Sequence, residues 1–546
     1  MKKLKIIFSI LILFQLSISA QELDKIYNLK FGSNFRIFPS TISQTEVFIV
    51  PHPLNENIMF SSANTWNQSD FFISEGVYVT TDGGLNWFGS DTCKGEPINF
   101  HGGDPGIVID KNGRFILTRL SGITGGGLFS HYSDDLGQSW SFQKGVAVGE
   151  LLERATVDSD VNSANNFYGR TYAVWVKFSQ PYPVVISFSD DGAENWSLPS
   201  QINNPSERGA GGEIKISPNG TVYVCWAAVI NISPFTETFI GFGTSTDGGT
   251  TWIIQENAFD INGINGQLTN KGNIRVNGLP RMAIDMSGGS RHGWIYIVTT
   301  QKNLAPAGND PDVILNKSTD GGISWSSGIR VNHDPLNNGA VQYFPAIHVD
   351  NYGGVNVIFY DDRNTTQDST GVFLARSDDG GNTWREFEIS DHNFKPVPLA
   401  GLSQGYQGDN IDLTSANEKL WPVWMDNSTG RYQIWTVPIE ISSVSADEPS
   451  VQAPVEFELK QNYPNPFNPS TNISFTINEP GFVTLKIYDL LGNEITTLVN
   501  EQLETGEYNI EFNAETSSKR FLNSGIYFYT ISHNGKNETK QMVLLK

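Results

Sequence analysis

The chain has 546 residues, enough for more than one domain. Its 36 basic residues (Lys and Arg) and 58 acidic residues (Asp and Glu) give a net charge of −22, which argues against nucleic acid or anionic membranes as partners because no basic field is present. Only 17% of the residues are charged, whereas 12% are aromatic and 53 are Gly, a composition that favours short strands and tight turns and excludes disorder for most of the chain.

Residues 1–20 have the pattern of an export signal. Three lysines occur within the first five residues, an apolar run covers 6–14, and small residues at 19–20 offer a cleavage site. The apolar run is shorter than the roughly 20 residues that span a bilayer, and no later run reaches that length. We therefore predict a signal peptide at 1–20 and a secreted or outer-surface protein without a transmembrane helix.

Two cysteines are present, Cys93 and Cys225. Cys225 lies in an apolar, strand-like run, which is typical of a buried thiol, and Cys93 follows Trp87 in a predicted loop. A disulfide between them stays open in an oxidising compartment, but so low a count excludes a disulfide-stabilised scaffold.

One pattern, Ser/Thr-x-Asp-x-Gly-x-x-Trp, recurs six times between residues 80 and 384, with Ala193 replacing Gly in the third copy. Each copy follows an apolar strand-like run, and a carboxylate followed by Gly can accept backbone N–H bonds across a hairpin turn. We therefore predict a structural role in the turn, rather than a metal site or catalysis, for the six aspartates. They are Asp82, Asp135, Asp191, Asp247, Asp320 and Asp379.

This repeat resembles the Asp-box (BNR repeat) of sialidase-like β-propellers. The resemblance implies that the motif lies between the third and fourth strands of each blade, away from the active site. Seven landmarks, each an apolar strand followed by a turn and another apolar strand, also recur about every sixty residues. The seventh unit, 409–441, lacks the Asp-box motif and has only three strand patterns. A segment at 26–37 is the candidate for its missing strand, which would close the ring and remove exposed sheet edges.

We therefore predict an all-β fold: a β-propeller over 21–441, with seven blades favoured and six, the usual number for enzymes of that family, still open. Residues 442–454 read as a linker, rich in small residues and Pro. Residues 455–546 show alternating strand patterns and predict a small antiparallel β-sandwich.

The C-terminal domain closely resembles the type A sorting domain of the type IX secretion system. The matching sequences are Asn-Pro-Phe-Asn-Pro-Ser-Thr at 465–471, Tyr-Asp-Leu-Leu-Gly at 488–492, Ser-Gly-Ile-Tyr-Phe-Tyr at 524–529, and the final Lys. The resemblance implies export across the outer membrane by the type IX machinery and removal of the domain, after which the passenger is attached to the cell surface or released.

Polar residues just before each inner strand of a propeller lie at the mouth of its central channel. Counting back from the landmarks predicts a mouth that mixes carboxylates, arginines and a tyrosine, which suits an acidic sugar. The alternative is that these side chains only pair with one another. They are Glu46, Asp104, Arg154, Glu213, Arg281, Tyr343 and Asp409.

The sialidase resemblance suggests roles for some of them. Phe-Arg-Ile-Phe-Pro at 35–39 is similar to the family's Phe-Arg-Ile-Pro motif but carries an extra Phe. The resemblance implies a carboxylate-binding arginine trio, a tyrosine nucleophile paired with a glutamate base, and an aspartate as acid and base. The trio would be Arg36, Arg154 and Arg281; the catalytic set would be Tyr343 (or Tyr406), Glu213 and Asp104 (or Asp70); Glu46 and Asp409 would bind substrate.

The leading hypothesis is a secreted or cell-surface glycoside hydrolase, similar to exo-α-sialidases, that acts on acidic sugars. Two alternatives stay open: a non-catalytic propeller that binds glycan or protein, and a polysaccharide lyase using His101 with a tyrosine. The eight histidines show no zinc-binding spacing, so we predict no metal and no cofactor. We expect a monomer; the sugar and linkage are not predicted.

Overall fold

A computed structural model describes residues 26–67, 72–95, 101–122, 126–402, 404–443, 457–478, 480–489, 493–514, 522–533 and 536–545. Within these ranges all regular structure is β, so the predicted all-β class is confirmed. The chain divides into two compact units between residues 444 and 445. The predicted signal peptide and most of the predicted linker lie outside the described residues. No described helix is long and apolar enough to cross a membrane.

Six four-stranded antiparallel sheets follow one another in the first unit, each running from its first to its fourth strand in sequence order. Two earlier strands, β1 (Tyr27–Phe31) and β2 (Phe35–Arg36), belong to a seventh sheet. Blade 1 comprises β3 (Ser43–Pro51), β4 (Met59–Asn67), β5 (Phe72–Thr80) and β6 (Phe88–Ser90). Blade 2 comprises β7 (Gly106–Ile109), β8 (Phe115–Leu120), β9 (Gly127–Ser133) and β10 (Lys144–Val148). Blade 3 comprises β11 (Thr156–Ser159), β12 (Thr171–Val176), β13 (Val184–Ser189) and β14 (Ser200–Gln201).

The next three blades continue the series, with one extra hairpin between the fourth and the fifth. Blade 4 comprises β15 (Arg208–Ile216), β16 (Val222–Val229), β17 (Glu237–Ser245) and β18 (Ile253–Asp260). The hairpin is β19 (Gly266–Leu268) and β20 (Ile274–Val276). Blade 5 comprises β21 (Arg281–Ile284), β22 (Ile295–Gln301), β23 (Asp312–Ser318) and β24 (Ile329–Arg330). Blade 6 comprises β25 (Gln342–Val349), β26 (Val355–Asp361), β27 (Gly371–Ser377) and β28 (Arg385–Glu388).

The seventh blade joins the two ends of the unit. Its strands β29 (Asp412–Ala416), β30 (Lys419–Asp426) and β31 (Gln433–Thr436) are completed by β2, in which Phe35 pairs with Thr436 and Arg36 with Trp435. A further strand, β32 (Ile439–Ser443), pairs with β30 and with β1. The first strands of consecutive blades are neighbours, and the last of them, β29, contacts β3. The described part of the unit is therefore a closed seven-bladed propeller, and the N-terminal segment supplies the missing strand as predicted.

The core lies between the blades. Strands such as β12 and β16 are buried along their whole length because both faces are covered by neighbouring blades. One apolar cluster, for example, joins Val174 of blade 3 to Val224 of blade 4. Cys93 and Cys225 are free, buried and in different clusters.

All six repeated motifs lie in the turn between the third and fourth strands of their blades. In blade 5, the Ser318 hydroxyl donates to Asp320 Oδ1 at 2.8 Å, and the backbone N–H of Ser324 donates to the same oxygen at 2.9 Å. Gly322, at φ 86°, faces the preceding blade, where an added Cβ would lie 2.1 Å from a ring carbon of Phe242. The motif therefore closes its own turn and brings it against the neighbouring blade.

The second unit consists of two sheets around one apolar cluster. The first sheet contains β33 (Phe457–Leu459), β34 (Ser470–Ile477) and β37 (Gly506–Asn513). The second contains β35 (Gly481–Tyr488), β36 (Glu494–Leu503), β38 (Gly525–His533) and β39 (Lys536–Leu544). This arrangement agrees with the predicted small β-sandwich.

Candidate functional site

The starts of the inner strands surround one cavity of about 380 Å³. Three of these strands carry a bulge near their start, at 46–47, 211–212 and 344–345. Glu46, Gly211 and Phe344 have positive φ there (53°, 62° and 51°). A bulge bends its strand and redirects side chains, and these three bulges all line the cavity. The six repeated turns lie at the opposite ends of the blades.

The cavity is lined by apolar residues and by a set of charged and polar side chains. They comprise three arginines, four carboxylates, two amides and one phenol: Arg154, Arg275, Arg281, Glu46, Asp104, Glu153, Asp409, Asn277, Asn410 and Tyr406.

Each arginine has a polar partner. Arg275 makes a bidentate pair with Asp409, in which Nε donates to Oδ1 at 3.3 Å and Nη2 donates to Oδ2. Arg281 Nη2 donates to Asp412 Oδ1 at 3.3 Å. Arg154 has the weakest partner, a long contact of 3.4 Å from Nη2 to the side-chain oxygen of Asn410. Arg154 is therefore the arginine most open to an added anion.

A second polar chain connects Asp104 to Tyr406. The amide nitrogen of Asn64 donates to Asp104 Oδ1 at 3.2 Å and to the Tyr406 hydroxyl at 2.8 Å, while the Asn64 oxygen accepts the N–H of Asp104 at 2.6 Å. The Arg275 guanidinium lies over the Tyr406 ring at 5.2 Å. Asn64 thus fixes an acidic group and a phenol beside each other at the cavity wall.

Burial changes the protonation of the cavity. Desolvation, together with the charges of Asp104 and Asp409, raises the pKa of Glu46 to about 8. Desolvation also raises the pKa of Asp104 and of Asp409 above the ordinary aspartate value, and the pKa of Tyr406 well above 10. Burial and the neighbouring acids therefore favour the neutral, protonated form of Glu46.

Most of the predicted site residues come together at this cavity. Glu46, Asp104, Arg154, Arg281 and Asp409 all line it. Asp70 lies outside the described residues.

Three predicted residues lie elsewhere among the described residues, and their predicted placement is corrected. Arg36 is on β2, the outer strand of blade 7, with its guanidinium over Trp435 at 5.9 Å. The Tyr343 side chain is fully buried in an apolar cluster, because the bulge that follows turns Phe344 to the cavity instead. Glu213 lies one layer deeper, where it lines a separate inner cavity of about 470 Å³ and reaches Arg281 Nε at 3.7 Å.

Sequence reasoning missed Arg275, Glu153 and Asn410. Arg275 lies on β20, in the extra hairpin between blades 4 and 5. The signal was the unusual length of the connection between 260 and 281, which holds two strand-like runs. Asn410 adjoins the predicted Asp409 and contacts both Arg154 and Arg281 (3.4 and 3.5 Å).

His101, the residue proposed for a lyase, is buried behind the cavity. Its Nδ1 bonds Glu75 Oε2, and the other oxygen of Glu75 accepts the N–H of Gly103 at 2.8 Å. The His101 ring does not line the described cavity. The pair supports the loop that carries Asp104.

Residues 461–545 match the family model described as the secretion system C-terminal sorting domain. This is the sorting domain of the type IX secretion system, so the protein is exported to the cell surface or secreted. No curated protein sequence matches the chain.

Several solved structures resemble the chain in fold. A protein of unknown function from Dyadobacter fermentans is 11% identical, with a TM-score of 0.46 over 76% of this chain and 99% of that one. A polysaccharide lyase, PL25 ulvan lyase bound to -[GlcA(1-4)Rha3S]-, is 12% identical, with a TM-score of 0.47 over 74% and 95%. A leech intramolecular trans-sialidase complexed with 2,7-anhydro-Neu5Ac is 13% identical, with a TM-score of 0.41 over 66% and 70%. At 11–13% identity these likenesses concern the fold alone.

Proposed function

We propose that the protein is a secreted glycan-processing enzyme that hydrolyses a glycosidic bond at an acidic sugar. The observation that carries the proposal is the meeting of three arginines and the buried Glu46 carboxyl in one cavity. The arginines supply recognition and Glu46 supplies a proton.

The acidic group of the sugar binds at the arginines. A planar guanidinium matches a carboxylate or a sulfate with two parallel hydrogen bonds. Arg154 and Arg281 both lie over the Phe48 ring, at 4.6 and 5.5 Å, which holds their planes in place. Arg154, with its single long contact to Asn410, takes the anion most readily.

Glu46 acts as the general acid in this proposal. Hydrolysis needs a proton on the leaving oxygen, and a carboxyl with a pKa near 8 still carries one at neutral pH. Asp104, oriented by Asn64, activates the attacking water as the base. Water is thus the nucleophile: its oxygen bonds to the sugar carbon as the bond to the leaving oxygen breaks, Asp104 takes the water proton and Glu46 protonates the leaving oxygen. Tyr406 lines the cavity, whereas Tyr343 is buried.

The test is turnover of a panel of acidic and neutral oligosaccharides by the full chain, with products separated by chromatography. We expect cleavage of acidic glycans only, and its loss in Arg154→Gln and Glu46→Gln. Arg114→Gln is the matched control, since Arg114 pairs with Asp134 at the repeated-turn end of blade 2. Undiminished cleavage by Arg154→Gln, or cleavage of neutral glycans alone, contradicts the proposal.

A non-catalytic role is the alternative, because Arg275 and Arg281 already have carboxylate partners. Binding of acidic glycans without any product supports that role. The same assay reports a lyase, since elimination leaves an unsaturated sugar that absorbs in the ultraviolet.

A further inference from the structure

A second cavity of about 430 Å³ adjoins the first. The two share a wall of six residues: Glu153, Phe178, Arg275, Asn277, Leu279 and Asp409. The second cavity extends to the hairpins that join the second and third strands of blades 3 and 4. The six shared residues place the two cavities side by side in one cleft.

The new part of the cleft is built around Arg208, the first residue of β15. Its guanidinium lies 5.2 Å from the ring of Phe178, 5.3 Å from Tyr182 and 5.4 Å from Phe235. Phe178 and Phe235 remain 38% and 37% exposed. The aromatic group is therefore accessible to a ligand and not closed into the core.

The backbone holds two of these rings in an unfavourable conformation. Tyr182 and Phe235 have φ values of 62° and 63°, in the left-handed region that bulky side chains rarely adopt. Such positions persist only where the surroundings enforce them, and they cluster at binding sites. Because the same positive φ occurs on two neighbouring blades, we interpret the rings beside Arg208 as part of a binding surface that the fold holds in place.

Arg208 differs from Arg114 of blade 2 and Arg170 of blade 3. Arg114 and Arg170 lie over rings, and each also donates from Nε to an aspartate at 2.7 Å, Asp134 and Asp190 respectively. The Arg208 side chain makes no hydrogen bond and no ion pair within 4 Å to any described residue, and its Nε is buried without a partner.

The nearby acidic side chains make their hydrogen bonds elsewhere, although Glu153 is close enough for the positive charge of Arg208 to act against the rise of its pKa. Glu153 accepts the backbone N–H of Gly211 at 2.8 Å, and Glu237 accepts that of Gly278 at 3.0 Å. Glu207 accepts the Thr238 hydroxyl at 2.7 Å. The half-buried Arg208 guanidinium therefore keeps hydrogen-bond donors that an anion from outside can use.

We propose that Arg208 and its three rings bind a second acidic sugar residue, so that the ligand is a chain with acidic groups on at least two residues. This rests on the proposed function, in which the first acidic residue lies at Arg154. Arg208 takes the second carboxylate or sulfate, while the exposed faces of Phe178 and Phe235 contact the apolar face of the ring. Occupation of both subsites excludes a ligand with a single terminal acidic sugar as the preferred substrate class.

The test is calorimetric binding of acidic oligosaccharides of one to four residues to the full chain. The probes are oligogalacturonides, α2,8-linked oligosialic acids and sulfated oligosaccharides, with neutral oligosaccharides of equal length as controls. We expect affinity in one acidic series to rise roughly tenfold or more when the second acidic residue is added, as one charge-assisted contact gives. Arg208→Gln removes this gain and leaves the affinity for the single acidic sugar unchanged.

Phe235→Ala, which alters only the second cavity, reduces the same gain and serves as the independent variant if Arg208→Gln folds poorly. Arg170→Gln is the matched control and keeps the full gain. A gain with chain length that survives Arg208→Gln, or no gain at all, overturns the second subsite. In both of those cases the proposed function still stands if single acidic sugars bind and Arg154→Gln abolishes that binding. Absence of binding by every acidic probe overturns both proposals.

Discussion

The two ends of the propeller use carboxylates in opposite ways. At the repeated turns, bonds from Ser324 lower the pKa of Asp320 to about 2, so the group is ionised over nearly the whole accessible pH range. At the cavity, burial and two neighbouring acids raise the pKa of Glu46 to about 8. The surroundings, and not the residue type, decide whether a carboxylate closes a turn or holds a proton for chemistry.

The strongest test of this contrast is activity. Glu46→Gln should lower kcat on acidic glycans by roughly 100-fold or more, the usual contribution of a general acid. The wild-type kcat should fall as the pH rises through about 8, where Glu46 loses its proton. Steady-state rates across pH, with chromatographic product detection, measure both effects.

Asp320→Asn is the matched control, because it alters a carboxylate of similar chemistry at the other end of the molecule. It should leave kcat and its pH profile unchanged. If both variants lose activity equally, the effect is on folding and the assignment of Glu46 as the acid fails.

The next effect is on stability and concerns the repeated turns. Gly322→Ala places a Cβ 2.1 Å from Phe242 at a φ of 86°, so it should cost about 2–4 kcal/mol of unfolding free energy. In the third copy of the motif, Ala193 already places a side chain at the equivalent position, with φ 67°. Ala193→Gly should therefore change the unfolding free energy by less than about 1 kcal/mol. Urea unfolding followed by tryptophan fluorescence compares them, and equal losses contradict the proposed packing difference.

A smaller effect concerns how the stability contributed by Glu46 depends on pH. The pKa of Glu46 is raised in the folded state, so the folded protein binds more protons than the unfolded chain, and stability falls as pH rises from its ordinary value of 4.5 through about 8. Glu46→Gln removes this loss and should stabilise the propeller relative to wild type by on the order of 2 kcal/mol more at pH 9 than at pH 6. Denaturant midpoints at both pH values decide it; a difference that does not depend on pH contradicts the raised pKa.

Much of the fold was predictable because it repeats. Six copies of one turn motif and seven strand–turn landmarks specify blades, and the incomplete last unit calls for a strand from the N-terminus, which β2 supplies. The extra hairpin β19–β20 and the pairing of β1 with β32 were missed. Neither element belongs to the repeat, so the repeat pattern did not predict them.

The site was less predictable because it depends on single-residue shifts. Since side chains alternate along a strand, one inserted residue changes which of them faces the channel. The bulge at 344–345 therefore brings Phe344 to the cavity where counting predicted Tyr343, and Arg208 was overlooked because the strand begins earlier than its landmark suggested. The predicted catalytic and binding roles of the cavity residues stay predictions until the variants are assayed.

The smallest expected effect concerns a single turn. Asp320 accepts three hydrogen bonds but is exposed, so Asp320→Ala should lower Tm by only roughly 1–3 °C at pH 7. Its pKa is lowered on folding, so its contribution is present above 3.8 and is lost as pH falls towards 2, the opposite direction to Glu46. Thermal melts at pH 7, 4 and 2 should therefore show the gap between variant and wild type closing in acid. A gap that persists at pH 2 would mean that packing of the turn, and not the ionised carboxylate, carries the stabilisation.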